Sequence, residues 1–428
     1  MTANVTKNFN GNVSGIQQTS IGATAGSTDA DVVQSNGATS DITQTLNGAN
    51  TFNATAIVTQ DGLSESTIEQ VLDNNAASAK ATVNQTGDDH FSDVEQTNTG
   101  GTVIANVTQT GTNNSSEIDQ IGTGGTANVT QSGTDGTSTI LQDRFSLTAT
   151  LNQNGNRNKS DITQDGSFAS QVTVNQNIVN TAGGDNDSFV RQGPTNEGVS
   201  IHAVVNQEGS GTDSDITQNG TNNNFFRQVD ANVSQSGDCN TSVITQDNPG
   251  ENVDAIVDQS GFDNTANINQ AAGGVNLQGD NNFAKATQAG DDNSADIDQI
   301  ATGANNSAET KQDGLLSSAT IQQTANANGD SAPIIQQASA DTNTATINQT
   351  GSAAGVVSDN DALITQGGGS DNESTIDQSG TTNQAKNVQL GSDNESTITQ
   401  SGTDDFATGF STVFVDQIGD GNVLTVAQ

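Results

Sequence analysis

The sequence predicts an all-β fold, a parallel β-solenoid with two strands per coil, amyloid-like in its cross-β stacking, and about 17 coils. Three observations predict it. Glutamine recurs every 11 residues through part of the chain, small and aliphatic residues alternate with polar ones before each glutamine, and Gly, Asn and Asp follow it. One such repeat holds a short strand and a turn and cannot bury its inner face alone, so stacked coils are expected.

The glutamines that set the period are termed the marker glutamines. In one stretch they lie 11 residues apart without a break, at Gln109, Gln120, Gln131, Gln142, Gln153 and Gln164. Before each marker, a small and an aliphatic residue occupy alternate positions, as in Ser116, Ile118 and Gln120. Since side chains on a strand alternate between its faces, these three are expected to point inward and the residues between them outward.

Two kinds of strand alternate along the chain. Four residues before the marker, Ala and Ser take turns, as at Ala105, Ser116, Ala127 and Ser138. The repeating unit is therefore a pair of strands, about 22 residues in its shortest form. The step within a pair is nearly always 10 to 12 residues, whereas the step between pairs ranges from 11 to 18, which predicts variable loops on one side. Such loops either mark an interacting face or are simply tolerated.

Composition alone would indicate disorder, because only 30% of the residues are hydrophobic and the net charge is −40. Polar side chains that repeat in register, however, can hydrogen-bond to one another inside a fold. With 10 Lys plus Arg against 50 Asp plus Glu, binding to nucleic acid or to an anionic membrane is not expected. No apolar stretch approaches the roughly 20 residues of a membrane helix, and residues 1–10 lack the apolar segment typical of a signal peptide.

The marker glutamines are predicted to stack in the interior as ladders, beside columns of Ala or Ser and of Ile or Val. Their amides would fix the register where apolar residues are too few to do so. The predicted ladder comprises Gln85, Gln96, Gln109, Gln120, Gln131, Gln142, Gln153, Gln164, Gln207, Gln218, Gln259, Gln270, Gln288, Gln299, Gln378, Gln389 and Gln400.

The repeat runs to both ends of the sequence. Val5 and Lys7 are already in register, with Lys7 at a marker position, and the last residue, Gln428, is itself a marker. We therefore expect one uncapped solenoid over residues 1–428 that stacks end to end on further copies. The most apolar strand lies near the C-terminus, and the predicted subunit contact comprises Phe410, Val413, Phe414, Val415 and Gln428.

The spacing around the markers resembles the curlin repeat of bacterial curli, Gln-x-Gly-x-x-Asn-x-Ala-x-x-x-Gln. It occurs as Gln259, Gly261, Asn264, Ala266 and Gln270, and it recurs in phase across most of the chain. The resemblance implies a secreted, amyloid-forming subunit of a biofilm matrix that polymerises with itself, served by a nucleator and by secretion or chaperone proteins. It also implies that asparagines join the interior ladders, at Asn114, Asn158, Asn264, Asn293, Asn383 and Asn394.

No combination of residues typical of an active site is found, and the chain is expected not to be an enzyme. His90, His202 and Cys239 have no recognisable partners in the sequence, and a single cysteine cannot form a disulfide within the chain. Outward carboxylates recur three residues before the markers, at Asp41, Asp93, Glu117, Asp161 and Asp215. They are either solvated charges or weak, diffuse ligands of calcium, and no other cofactor is expected.

The predicted function is that of a fibre subunit, secreted and extracellular, at the cell surface or in a biofilm matrix. The alternative is a monomeric solenoid that binds a surface, such as an adhesin or an ice-binding protein. Outward threonines beside the markers, for example Thr108, Thr130 and Thr163, support the alternative. The same position also holds Asn, Asp, Glu and Ser, so no uninterrupted threonine ladder is expected.

Overall fold

The computed structural model describes most of the chain, and it divides the chain into two compact units, Met1–Ser210 and Gly211–Gln428. The described residues are 1–8, 10–21, 25–47, 51–73, 77–165, 170–177, 185–193, 199–219, 227–247, 252–271, 281–300, 305–324, 330–337, 341–351, 360–402 and 411–427. Within these ranges every helix or strand element is a β-strand. None of the described residues forms a helix of the length and hydropathy needed to cross a membrane.

The described residues of the first unit, unit 1, form fourteen strands. They are β1 (Thr2–Asn8), β2 (Val13–Ile21), β3 (Ala25–Ser35), β4 (Thr39–Asn47), β5 (Thr51–Asp61), β6 (Glu65–Asp73), β7 (Ala77–Asp88), β8 (Phe91–Thr112), β9 (Ser115–Thr134), β10 (Thr137–Asn156), β11 (Lys159–Asp165), β12 (Gln171–Asn177), β13 (Asp187–Gln192) and β14 (Val199–Ser210).

The second unit, unit 2, contains the remaining described strands. They are β15 (Asp213–Asn219), β16 (Arg227–Asp238), β17 (Thr241–Asp247), β18 (Val253–Phe262), β19 (Thr265–Ala271), β20 (Phe283–Ala289), β21 (Ser294–Ile300), β22 (Ser307–Gln312), β23 (Ser318–Thr324), β24 (Ser331–Gln336), β25 (Thr344–Gly351), β26 (Asp361–Gly367), β27 (Glu373–Gly380), β28 (Asn383–Leu390), β29 (Glu395–Gly402), β30 (Ser411–Ile418) and β31 (Val423–Ala427).

In unit 1 the strands form two parallel sheets that face each other across the interior. Sheet A contains β1, β3, β5, β7, β12, β14 and the second halves of β8, β9 and β10. Sheet B contains β2, β4, β6, β11, β13 and the first halves of β8, β9 and β10. The three long strands turn the corner from sheet B to sheet A without a break.

The strands of unit 2 have the same arrangement, in rows termed sheet C and sheet D. Sheet C contains the even-numbered strands from β16 to β30. Sheet D contains the odd-numbered strands from β15 to β31. Each strand pairs with the strand two places along the chain, always in parallel, which is the connectivity of a solenoid with two strands per turn.

Like residues face like residues between successive turns. In sheet A, Gln85 pairs with Gln109, and Gln109 pairs with Gln131. In sheet B, Ser92 pairs with Ser116. The alternation of Ala and Ser in the sequence therefore reflects the two sheets of each turn. The fold class predicted from the sequence is confirmed.

The number of turns is slightly lower than predicted. Among the described residues, seven turns of unit 1 and seven turns of unit 2 bury both of their marker glutamines. This gives about 14 turns in all rather than about 17. Two of the predicted coils are missing from this count because of three marker positions near the chain ends. Lys7 is exposed, Gln18 is half-buried, and Gln428 lies outside the described residues. In addition, Gln207 and Gln218 fall in different units.

The interior between the sheets is narrow and only partly apolar. Along β9, the side chains of Ala127, Val129 and Gln131 are buried, whereas Asn128 and Thr130 lie on the outer surface. The same period of two runs through the other strands, as the pleat of a strand requires. A typical turn thus buries two small residues, two aliphatic residues and two amides, so the amides form a large part of the core.

The tight corners that join sheet A to sheet B bring the backbones of successive turns close together at glycine. Gly133 has a φ of +123°, and a Cβ at this position would lie 1.9 Å from the carbonyl oxygen of Gly155 in the next turn. The corner therefore requires glycine for two reasons: its φ is positive, and a Cβ would clash with the backbone of the next turn.

We predict that Gly133→Ala destabilises the chain by about 1–3 kcal/mol more than Gly124→Ala, because an added methyl overpacks the corner. Gly124 also has a positive φ, +74°, but the nearest atom to its Cβ would lie 3.7 Å away. Both substitutions therefore strain the backbone, and only Gly133→Ala creates a clash. Guanidinium unfolding followed by circular dichroism measures the difference, and equal losses would contradict the close approach of the corners.

Candidate functional site

Two ladders of marker glutamines run through the interior of unit 1. In each ladder the Nε2 atom of one glutamine donates to the Oε1 atom of the glutamine one turn later, at 2.7–3.0 Å. The ladder of sheet A comprises Gln34, Gln60, Gln85, Gln109, Gln131, Gln153, Gln176 and Gln207, and that of sheet B comprises Gln18, Gln44, Gln70, Gln96, Gln120, Gln142, Gln164 and Gln192. All of them except Gln18 are buried.

Unit 2 contains two ladders of the same kind, with Nε2–Oε1 distances of 2.8–3.0 Å. The ladder of sheet C comprises Gln235, Gln259, Gln288, Gln312, Gln336, Gln366, Gln389 and Gln417, and that of sheet D comprises Gln218, Gln246, Gln270, Gln299, Gln323, Gln349, Gln378 and Gln400. Every glutamine proposed from the sequence as a ladder residue lies in one of these four ladders.

All of these bonds point in one direction, from the earlier turn to the later one. Each ladder is therefore a row of aligned amide dipoles, with an acceptor at its first member and a donor at its last. The first end of the sheet A ladder shows this, since Gln34 is buried and its Oε1 atom has no hydrogen-bond partner among the described residues. Lys7 occupies the register position opposite Gln34, but its Nζ atom donates to the carbonyl oxygen of Asn12 at 3.3 Å.

The second Nε2 hydrogen of the ladder amides connects the two sheets. Gln131 of sheet A donates to the backbone carbonyl of Ser115 in sheet B at 3.0 Å. Gln120 of sheet B donates in the opposite direction, to the carbonyl of Ile104 in sheet A, at 3.1 Å. Both amide hydrogens are thus satisfied, which removes the penalty for burying a polar group without a partner.

The asparagines of the repeat lie at the corners, except Asn383, which is the first residue of β28. The Oδ1 atom of Asn264 accepts from the backbone N–H of Asn293 in the next turn at 3.0 Å, and its Nδ2 atom donates to the carbonyl of Gly290 at 2.7 Å. Asn293 repeats the pattern one turn later, with Ser317 as donor and Gly314 as acceptor. The asparagine side chain therefore joins the backbones of successive corners, where no regular strand pairing is available.

The other asparagines expected at ladder positions divide into two groups. Asn114 and Asn394 bond to the next turn, since their Oδ1 atoms accept from the backbone N–H of Gly136 and Asn422 at 2.9 and 3.1 Å. Asn158 and Asn383 donate from Nδ2 to carbonyls of their own turn, those of Asn154 and Ser379, at 3.3 and 3.2 Å.

Sequence reasoning missed the place of His90, which is buried at a corner position that other turns fill with asparagine. Its Nδ1 atom accepts from the backbone N–H of Asn114 at 3.3 Å, and its Nε2 atom then donates to the carbonyl of Thr86 at 3.1 Å. The imidazole thus makes the same kind of bonds as an asparagine side chain. Its distance of three residues from Gly87, the same as that of Asn114 from Gly111, could have identified it.

The predicted subunit contact near the C-terminus is only partly described. Phe410 and Gln428 lie outside the described residues, and of Val413 and Phe414 only the backbone is described, in β30. Val415 is buried and pairs with Asn387 of β28.

Four of the five carboxylates considered for calcium share one column on the outer surface of sheet B. Asp41, Asp93, Glu117 and Asp161 occupy equivalent positions, with threonines in the two turns between them. Asp215 lies in unit 2, on the outer surface of sheet D. Among the described residues, no group of three or more His, Cys, Asp or Glu side chains is arranged to hold a metal ion.

A second column, next to the first, places Glu69, Glu95 and Asp119 opposite one another. Partial burial raises the pKa of Asp119 to about 6, and repulsion adds to the shift, from Glu95 first and then from Glu117, Asp143 and Asp93. Burial also raises the pKa of Asp93 and of Asp215. Ionisation of these partly buried carboxyl groups near neutral pH therefore costs free energy.

We predict that Gln131→Leu costs about 2–4 kcal/mol of unfolding free energy, because two buried amide groups, on Gln109 and Gln153, lose their partners. Gln171→Leu is the control, since Gln171 is exposed on the outer surface of sheet A, and it should change stability by less than about 0.5 kcal/mol. Chemical unfolding measures both. Similar losses would show that the ladder bonds contribute little.

We predict that stability falls as the pH rises from 4 to 7, and that Asp119→Asn reduces this fall. The pKa of Asp119 is higher in the folded chain than its usual 3.8, so the folded state binds the proton more tightly. The stabilisation is fully present below about pH 4 and is lost as the pH rises through about 6. Denaturant midpoints across this range test the effect. Leu141→Asn, at the paired position of the next turn, should leave the slope unchanged.

Comparison with known protein families identifies the repeat. The model of the Curlin associated repeat matches residues 105–133, 279–314 and 369–402. No curated protein matches the chain. Each matched segment contains corner glycines, a corner asparagine and ladder glutamines of the kind described above. The resemblance found in the sequence is therefore confirmed: the chain is a β-solenoid that contains Curlin associated repeats in these three segments.

Proposed function

We propose that the chain is the subunit of an extracellular, curli-like fibre that grows by stacking one copy on the next. The ladder geometry carries this proposal. Every turn presents the same backbone and the same two amides to its neighbour, so an outer turn of one copy matches an outer turn of another. Curlin-associated repeats are structural, which agrees with a fibre subunit and not with an enzyme.

The outermost described strands support stacking, because their inward side chains are exposed. Val5 of β1 is 44% exposed, whereas Val32, its register partner in the next turn, is 1% exposed. Leu424 of β31 is 40% exposed, whereas its partner Ser396 is 1% exposed. A strand that is paired on one side only and has an apolar inner face is a template for a further strand.

The direction of the ladders adds a constraint on how copies would join. Because every Nε2–Oε1 bond points toward later turns, the ladders of two copies can continue into each other only when the copies stack head to tail. A head-to-tail contact generates an open filament instead of a closed dimer. The fibre would therefore be polar, with different edges at its two ends, and a nucleator would need to present only one of them.

Calcium enters this proposal as a counter-ion and not as a cofactor. Carboxylates about 4.8 Å apart repel by roughly 1 kcal/mol per pair even in water. Weak binding of Ca²⁺ along sheet B would lower that repulsion when the columns of successive copies meet.

We predict that Val5→Lys slows filament elongation at least about tenfold, because stacking would bury an unpaired charge. Val33→Lys is a close control, since Val33 is 42% exposed, similar to Val5, but lies on the outer surface of β3. Seeded thioflavin assays measure the rates. Equal rates for the two variants would exclude stacking through β1.

Electron microscopy of the unsubstituted chain tests the function itself. Filaments with an axial repeat of about 4.8 Å are expected. Separate particles that persist at neutral pH, with and without millimolar Ca²⁺, would overturn the fibre and favour the monomeric surface binder.

A further inference from the structure

The outer surface of sheet A contains an uncharged patch that spans five consecutive strands of unit 1. The patch, termed the neutral patch, consists of the residues three before, one before and one after the markers Gln85, Gln109, Gln131, Gln153 and Gln176. All fifteen of these residues are Thr, Asn or Ser. They form three columns of five side chains on a parallel sheet.

The equivalent positions on sheet B have the opposite character. Around the markers Gln70, Gln96, Gln120, Gln142 and Gln164, eight of the fifteen residues are Asp or Glu, and none is Lys or Arg. The two sheets belong to the same turns and share one interior, so neither the fold nor the core accounts for this difference. The difference therefore concerns which molecules each outer surface can contact.

The neutral patch is held in place by its own hydrogen bonds. Asn152 donates from Nδ2 to Oδ1 of Asn175 at 2.8 Å, and Asn106 donates in the same way to Asn128 at 2.9 Å. Ser132 donates from Oγ to Oδ1 of Asn154 at 2.9 Å. Side chains already fixed in one conformation lose little entropy when another surface covers them.

We propose that the neutral patch packs against the neutral patch of a second copy and joins filaments side by side. Charge selects this occupant. The chain has a net charge of −40, so two copies that approach through sheet B would bring carboxylates together, at a cost of several kcal/mol. Sheet A of unit 1 lets two copies touch over these five strands without any carboxylate at the contact.

The size of the patch indicates weak pairing per copy. Five strands at about 4.8 Å and three columns at about 7 Å give a surface of about 24 by 20 Å, smaller than the roughly 800 Å² per partner of a stable interface. Side-by-side bundling therefore rests on the proposed function, because only a filament repeats the contact often enough to make it strong. Within one pair of copies the contact would be transient.

A polysaccharide is the other occupant that a hydroxyl- and amide-rich face could suit. Sugar rings usually stack on aromatic side chains, and the chain has no Trp and no Tyr. No phenylalanine lies within the neutral patch either. The chemistry of the patch therefore favours a second copy with the same amide columns, as in the dry polar interfaces between paired amyloid sheets.

Cross-linking tests the contact directly. In a Cys239→Ser background, Thr130→Cys places a thiol at the centre of the neutral patch, and Asp119→Cys places one at the same position of sheet B on the same strand. We expect disulfide-linked dimers to form at least about tenfold faster from Thr130→Cys. Equal or faster linking from Asp119→Cys would overturn the proposal, all the more because that substitution removes a repelling charge.

Microscopy of assembled chains separates this proposal from the proposed function. Thr82→Glu with Thr130→Glu should give single filaments, whereas Thr67→Glu with Thr139→Glu, which adds equal charge to sheet B, should leave bundles intact. Bundles that survive both pairs of substitutions would overturn side-by-side pairing. If the unsubstituted chain forms no filaments, the fibre fails, and the cross-linking rates still decide whether the patches pair. A polysaccharide would be the occupant if Thr82→Glu with Thr130→Glu abolishes binding to insoluble glucan and Thr130→Cys shows no preferential cross-linking. That pair of results would overturn the proposal.

Discussion

The carboxamide of the marker glutamine is the group on which the rest of the structure depends. One of its hydrogens bonds along the stack to the next glutamine, and the other bonds across the interior to the opposite backbone, as Gln131 does to Gln153 and Ser115. A methyl or hydroxyl group in its place could not make both bonds. Because only 30% of the chain is hydrophobic, these amides supply the specific register that a larger apolar core would otherwise provide.

The corners solve a related problem with different residues. Strand pairing ends where the chain turns, and the backbone groups there would be left without partners. Asn264 satisfies both a donor and an acceptor of the next corner, and glycines such as Gly133 let the corners approach as closely as the strands do. The spacing between turns is therefore set by the same kind of bond in the sheets and at the corners, which is what allows the turns to repeat without accumulated strain.

Much of this architecture could be predicted from the sequence, because a period of 11 residues fixes which side chains share a column. The alternation of Ala and Ser identified the two sheets. The bond from Gln131 to Ser115 could not be predicted, since the sequence gives positions along a strand but not distances across the interior. Hydrogen bonding explains only some of the buried serines: Ser188 donates to Ser160 at 2.9 Å, whereas the hydroxyls of Ser92 and Ser116 have no partner among the described residues. The burial of His90 was missed, although its spacing of three residues from Gly87 places it at the corner position that asparagine fills in other turns.

Repetition also explains why the two outer surfaces of unit 1 differ so strongly. In a parallel stack any outward residue meets its own equivalents about 4.8 Å away, so a carboxylate that is harmless in one turn becomes a column of repelling charges in several. The raised pKa of Asp119 is a direct consequence of that geometry together with partial burial. A surface that must stay in solvent gains solubility from such a column, whereas a surface that is to be covered cannot contain one. The absence of carboxylates from the fifteen positions of the neutral patch is thus the pattern expected of a surface reserved for contact, and the acidic columns of sheet B limit that contact to one side.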